Sequence, residues 1–430
     1  MKNAMAQTPP RLPSEVWNCV FSCLSTADKL SVRASCKYFN SLVDHGSLWR
    51  DWSVVLRFHS GYYNRRFWAS LRRRRVTSAV VRSSRVKDWK QVAHFLPSAT
   101  TVVMDTSSQQ SLHYVRDFTD LRRLAVRNSS TALVFDSSTV CKPEQLTHLS
   151  LCDATLSTAT IEGVISAVSH FTNLTSLVCH RTGVLQETII LVHSLLSCLP
   201  KLKHLSLSVA QTFCCLNTVP SLHIPGGRAP ALSSLELIDC VDLSFPKDTM
   251  KLMPGLKSLA VFYRHSQQEW PSPACHLNTW LSDLPQLSTL VILKGPAVKN
   301  YVTSIPPTVT SLTLCVAEFS SKDLAATAAQ VPDLLQLHID PWPSHLGAHT
   351  AQIPLLFPKL RRLKVRLEHV PEDKFLALHK LPDLEYLEVL DSLPHFSQLI
   401  IELRALTNYR LEVKTPPRHR DVMSCSCVCY

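Results

Sequence analysis

Histidine and cysteine are the residue types in this chain most able to do chemistry, with 19 and 15 copies in 430 residues. His148, His180 and His204 read as matching positions on successive repeats. Neutral imidazoles gathered that way could ligate zinc. Nothing in the sequence closes such a shell: there is no H-E-x-x-H, and no Cys/His pair has zinc-finger spacing. No metal and no cofactor is therefore expected. The cysteines are scattered, mostly in apolar runs, and their number is odd. Free cysteine behaves as a small buried hydrophobe. MKNAMAQTPP has no apolar core of a secretory signal. A reduced compartment, cytoplasmic or nuclear, is the expectation. The final CSCVCY places Cys427 fourth from the end, where a prenylated cysteine would sit. Tyr430 is not among the usual last residues of that signal, so lipidation at Cys427 is not expected.

Glycine narrows the enzyme classes. Nine glycines in 430 residues is far below the usual share. No G-x-G-x-x-G, G-x-x-x-x-G-K-[ST] or G-x-S-x-G occurs. Phosphate-cradling loops need those glycines for tight turns and close backbone approach. No catalytic residue is assigned, and the chain is expected not to be an enzyme. No apolar run approaches 18 residues, so no transmembrane segment is expected. The net charge of +12 and the run Arg72, Arg73, Arg74, Arg75 fit nucleic acid, an acidic partner or a nuclear-import signal. The same run also fits a solvated face.

The elements that would position these residues form a repeat. The unit is apolar-x-x-apolar-x-apolar, as in Leu121/Leu124/Val126, Leu202/Leu205/Leu207, Leu287/Leu290/Ile292 and Leu384/Leu387/Val389. Fourteen such units start between Val76 and Leu406, a mean period of about 25 residues, within the leucine-rich-repeat range. Apolar-Pro pairs such as Leu199-Pro200 and Leu381-Pro382 stop a helix before many of them. Ile161, Val164, Ile165 and Val168 have helical spacing, as do Leu277, Trp280, Leu281 and Leu284, and Pro371 opens a further helix. Each unit thus reads strand, loop, helix, turn. None can bury its apolar face alone, so the units must stack.

Leu12–Trp52 differs in kind: short helices with two apolar stripes in about forty residues. Pro13 suits a first turn, Glu15 suits the helix dipole, and Thr26 is the expected N-cap of a second helix. So small a piece cannot bury both stripes, which implies one face for its own core and one for a partner. Leu12-Pro13-Ser14-Glu15, Val20-Phe21-Ser22-Cys23-Leu24, Cys36-Lys37-Tyr38-Phe39 and Leu48-Trp49-Arg50 resemble the F-box at its own spacing. With the repeats, the chain resembles the F-box/leucine-rich-repeat proteins, substrate receptors of SCF-type ubiquitin ligases.

The resemblance implies an α/β fold: an N-terminal helical F-box, then a right-handed solenoid with a parallel sheet on the concave face and helices on the convex face. The expected organisation is a disordered lead over 1–11, the F-box over 12–56, a basic helical junction over 57–75, repeats over 76–414 and a Cys-rich tail over 415–430. It further implies that Leu12, Pro13, Val16, Val20, Phe21, Leu24, Leu30 and Trp49 bind a Skp-type adaptor, which brings a cullin and a RING subunit. A protein substrate, its identity open, would lie on the concave face. Phe262, Tyr263, Arg264, Arg362, Lys364, Arg366 and Tyr386 are the candidates there, since aromatic and arginine side chains anchor interfaces. The alternative is a basic leucine-rich-repeat scaffold that binds nucleic acid or an acidic partner without assembling a ligase.

Overall fold

The structure, a computed structural model, describes residues 12–50, 52–58, 63–105, 112–157, 161–181, 188–209, 231–240, 247–263, 276–341, 345–391 and 396–415. The expected lead over 1–11, Arg264 and Cys427 lie outside these. The chain forms two compact units, one of residues 1–131 with 138–146, the other of 132–137 with 147–430.

The first unit opens with three short helices, α1 (Ser14–Ser22), α2 (Thr26–Ser35) and α3 (Lys37–Val43). Four strands follow: β1 (Ser53–Arg57), β2 (Ser78–Arg82), β3 (Thr101–Asp105) and β4 (Arg123–Leu133). They pair in parallel, each with the next in the chain. Helices α4 (Arg65–Arg73) and α5 (Val86–Phe95) connect β1 to β2 and β2 to β3. Three expectations shift here. The N-cap of α2 is Ser25, one residue before Thr26, because its hydroxyl accepts the Asp28 amide at 3.2 Å. Strand β1 begins inside the segment assigned to the F-box, since Val54 and Leu56 alternate inward and pair with β2. The segment 57–75 is therefore the connection within a first repeat, with Trp68 and Leu71 of α4 buried.

In the second unit the strands are β5 (His148–Leu156), β6 (Ser176–His180), β7 (His204–Ser208), β8 (Ser234–Cys240), β9 (Ser258–Tyr263) and β10 (Thr289–Gly295). They continue with β11 (Ser311–Val316), β12 (Gln336–Ile339), β13 (Arg362–Val365), β14 (Tyr386–Val389) and β15 (Glu412–Lys414). All pair in parallel in chain order. The helices are α6 (Ile161–Ser169), α7 (Thr188–Cys198), α8 (Leu277–Ser282), α9 (Ser321–Gln330), α10 (Ile353–Leu356), α11 (Glu372–Leu376) and α12 (Phe396–Leu406), with 3-10 turns in other repeats. This is the α/β repeat fold expected from the period.

The hexad explains the stacking. Its second position stands in register from strand to strand, as in Leu259↔Leu290↔Leu312↔Leu337↔Leu363↔Leu387, all buried. Its third position forms a parallel row of the same kind, and its first position, just before each strand, is buried too. Burying one such side chain contributes about 1.5–3 kcal/mol, but only a neighbouring repeat supplies the cover. A second device fixes register: one carbonyl in each unit accepts two successive amides of the next. Lys257 O takes Ser288 N and Thr289 N, Ser288 O takes Thr310 N and Ser311 N, and Thr310 O takes Leu335 N and Gln336 N.

The scarcity of glycine has a structural counterpart. Asn128 and Asp153, within the long strands β4 and β5, and Arg181, Asp239 and Lys294, at strand ends, carry φ between 50° and 55°. Side chains here occupy the left-handed bends that glycine often fills. The final hexad, Leu406/Tyr409/Leu411, falls four residues early. Leu406 ends α12, Asn408 and Tyr409 make a left-handed turn, and the strand instead pairs Val413 with Leu387. No Pro stops α12, so the helix runs past the expected boundary.

Candidate functional site

Helix α1 divides its apolar residues between two faces. Trp17 stacks on Phe21 with ring centroids 5.5 Å apart, and Phe39 of α3 meets both rings edge-on, at 4.8 and 5.5 Å. Phe21 is buried in this cluster. Leu12, Pro13, Val16 and Val20 remain exposed, as does Leu30 on α2, and Leu24 is half-buried. These exposed apolar residues all belong to one small helical segment. Tyr38 on α3 is exposed as well, a residue not among the candidates from sequence. Two assigned residues leave this surface. Phe21 and Trp49 are 2% and 1% exposed and belong to the internal core. Only the fold reveals this, because residues one or four positions apart on a short helix are assigned to faces by neighbours not yet known.

Asp44 ties these helices to the first repeat. Its carboxylate, buried, accepts from Arg33 at 2.8 and 3.1 Å, Arg74 at 2.8 Å and Arg73 at 3.3 Å. Burial alone would raise the Asp44 carboxyl, but hydrogen bonds from Arg33 and Arg74 outweigh it and hold the pKa below the ordinary value. Arg74 also lies over the Trp49 ring, 4.3 Å from its centroid. Arg72 donates to the carbonyls of Phe95 and His94, satisfying the end of α5. The arginine run is thus divided: Arg74 is buried, while Arg72, Arg73 and Arg75 are exposed, Arg72 and Arg73 with the contacts just given.

The second unit carries the face proposed for a partner. Phe262 points outward on β9, whereas Tyr263 is 3% exposed and points inward against Gly295. Strand alternation sends adjacent residues to opposite faces, so both cannot belong to the surface. Arg362 is exposed. Lys364 pairs with Glu388 at 2.9 Å, and Tyr386 donates to the same carboxylate at 3.1 Å. Burial would raise Glu388, but the Lys364 contact outweighs it and lowers the pKa. Arg366 bridges two repeats. It meets Asp340 at 2.8 and 3.0 Å and Asp391 at 3.1 Å, and its pKa rises, chiefly through the Asp340 hydrogen bond. The predicted basic patch is therefore divided: Lys364 and Arg366 are paired with carboxylates, and Arg362 is exposed.

The three histidines do not share one position. His148 and His204 stand in one register row, separated by Ser176, while His180 lies four residues further along β6. His180 joins a buried polar line instead: Cys152 Sγ at 3.6 Å from Nδ1, and Ser206 Oγ at 2.7 Å from Nε2. Ser206 in turn donates to Glu236 at 2.5 Å. Since the Ser206 proton faces Glu236, its oxygen accepts from His180 Nε2–H. His204 pairs with Ser234 at 3.1 Å, and burial lowers its pKa. A different trio comes together without any sequence signal: Cys315, His338 and Asp340, with donor atoms within 4.8 Å of one another. Their spacing of 23 and then two residues becomes a contact only through the β11–β12 register.

An F-box-like family model matches residues 10–53. No curated protein matches the chain. Among solved structures it is similar to the TLR13–ssRNA13 complex, at 17% identity and TM-score 0.42, covering 84% of this chain and 53% of that one. The chain thus spans about half the length of the TLR13 chain. It is also similar to the leucine-rich repeat-containing protein LegL7 from Legionella pneumophila, at 14% identity and TM-score 0.43, covering 83% of this chain and 98% of that one. No helix among the described residues is long and apolar enough to cross a membrane.

Proposed function

From a premise of an F-box-like segment joined to a leucine-rich-repeat array, we propose that this protein is the substrate-recognition subunit of an SCF-type E3 ubiquitin ligase. The observation that carries the reading is the exposed apolar strip Leu12, Val16, Val20 and Leu30, inside the stretch matched by the F-box-like model. It fits a Skp-type adaptor, through which a cullin and a RING subunit would join. The repeat face would hold a protein substrate through Phe262, Arg362 and neighbouring polar groups. The mechanism is positioning: tethering raises the effective concentration of substrate lysines near a charged conjugating enzyme. The chain itself acts as a non-catalytic receptor. It works in the cytoplasm or nucleus, where that machinery is found.

The test is adaptor co-purification with Val16→Asp/Val20→Asp. Both side chains face solvent, so the fold is expected to survive and adaptor recovery to be lost. Unchanged recovery overturns the reading. Trp49→Ala is the control: it loses the adaptor only by unfolding the segment, visible as lost hydrogen-exchange protection. The scaffold alternative would draw on the exposed Arg72, Arg73 and Arg75, since Arg74 is buried against Asp44; Arg72 and Arg73 are already partly engaged by carbonyls and Asp44.

A further inference from the structure

We propose that Cys315, His338 and Asp340 form a binding site for a divalent transition-metal ion of the zinc type, with the fourth position left to an outside ligand. The three side chains leave two neighbouring strands on the sheet face opposite the repeat core. Leu312, Leu314, Leu337 and Ile339 alternate inward, so Cys315 and His338 point outward. Each of the three is half-buried, which leaves one side of the trio to solvent.

The distances suit the ion. Cys315 Sγ and His338 Nε2 are 3.9 Å apart, and all three donor atoms lie within 4.8 Å. Tetrahedral zinc with a sulfur at about 2.3 Å and a nitrogen at about 2.05 Å holds those two atoms about 3.6 Å apart. The Cys315–His338 pair then closes by a few tenths of an ångström and the Asp340 oxygen by up to about 1.2 Å, both through side-chain rotation. Sulfur, imidazole and carboxylate together form a set that zinc accepts, and three protein ligands with one open position are the usual non-structural arrangement. Binding then exchanges the thiol proton for the metal: the S–H bond breaks, an S–metal bond forms, and one proton leaves to solvent.

The surroundings support a cation. Arg366 holds Asp340 through both carboxylate oxygens, at 2.8 and 3.0 Å, orienting it as second partners of metal ligands do. A carboxylate offers about four lone-pair sites, so two remain for an ion. Arg366 and Lys364 are balanced by Asp340, Asp391 and Glu388, a net of one negative charge around the trio. A dication plus the new thiolate adds one positive charge and brings the cluster to neutrality.

Cobalt(II) is the probe, added to the full, reduced, chelator-treated chain. Wild type is expected to show one equivalent with the thiolate-to-cobalt charge-transfer band, displaced by zinc. Cys315→Ser and His338→Gln are each expected to lose that equivalent while keeping the wild-type circular dichroism. Equal stoichiometry and equal band intensity in wild type and both variants overturn the site, since the other cysteines would then explain all binding. Zinc K-edge absorption on wild type at one equivalent needs no variant. One sulfur with nitrogen and oxygen neighbours supports the site, and a sulfur-rich or sulfur-free shell refutes it.

Discussion

Replacing Asp44 with alanine tests how the F-box-like helices are held. The carboxylate meets three guanidinium groups, but these differ in solvent access. The Arg73 side chain is 63% exposed and Arg33 29%, while Arg74 is 7% exposed. The exposed arm contributes little, typically below about 1 kcal/mol. The loss is dominated by Arg74, left buried against Trp49 without its carboxylate, which costs about 3–5 kcal/mol. The two compact units would blur a single melting curve, so the assay is hydrogen exchange over residues 37–50, reading the opening free energy of that segment alone. Asp44→Ala/Arg74→Met removes the stranded charge together with its partner. It is therefore expected to be less damaging than the sum of the single changes, by at least about 1 kcal/mol. Strict additivity, or an Asp44→Ala loss under about 0.5 kcal/mol, refutes the account. The pH sign follows from the depressed folded-state pKa. The contribution is complete above the unfolded value near 3.9 and disappears as pH falls through the lower folded value. Acid should therefore loosen the wild-type segment while leaving Asp44→Ala less responsive.

Two more expectations follow from the second unit. Gly295→Ala places a Cβ 2.3 Å from Ile292 Cγ2 and 3.4 Å from the Tyr263 ring, at the point where β10 shifts register against β11. A loss of about 1–3 kcal/mol, read as faster amide exchange in β9–β11, is expected, and wild-type exchange there would show the bulge to be soft. Arg366→Met leaves Asp340 and Asp391 without their shared cation, for a loss of about 1.5–3 kcal/mol read as faster amide exchange in β12–β14, and unchanged exchange there would refute the bridge.

Periodicity carries the fold because each repeat repeats one problem. A leucine at a fixed spacing must find cover, and the neighbouring hexad is the cover. The strands β2 to β14 were legible for that reason. Strand β1 was not, since Val54 and Leu56 lie directly after the F-box pattern and without a leucine hexad of their own. Exposed apolar residues of the F-box-like segment were legible where the helix has a solvent stripe, as at Val16 and Val20. Phe21 and Trp49 carry the same apolar signal but face inward, which depends on Phe39, Trp52 and Arg74. Charge was the least legible property. Arg74, Lys364 and Arg366 read as a basic surface, yet their carboxylates come from residues 30, 24 and 26 positions away.

The Arg366 bridge also bears on how such an array can evolve. Repeats are commonly gained and lost by duplication and deletion of whole units. Here one arginine serves an aspartate of the repeat before and an aspartate of the repeat after. Excising the unit around β13 would set Asp340 beside Asp391 with nothing positive between them, and duplicating it would give one aspartate to each of two arginines. Either event carries a penalty even when every leucine stays in frame. Unit order in this part of the chain is thereby protected against recombination by charge, independently of the apolar spacing that builds it.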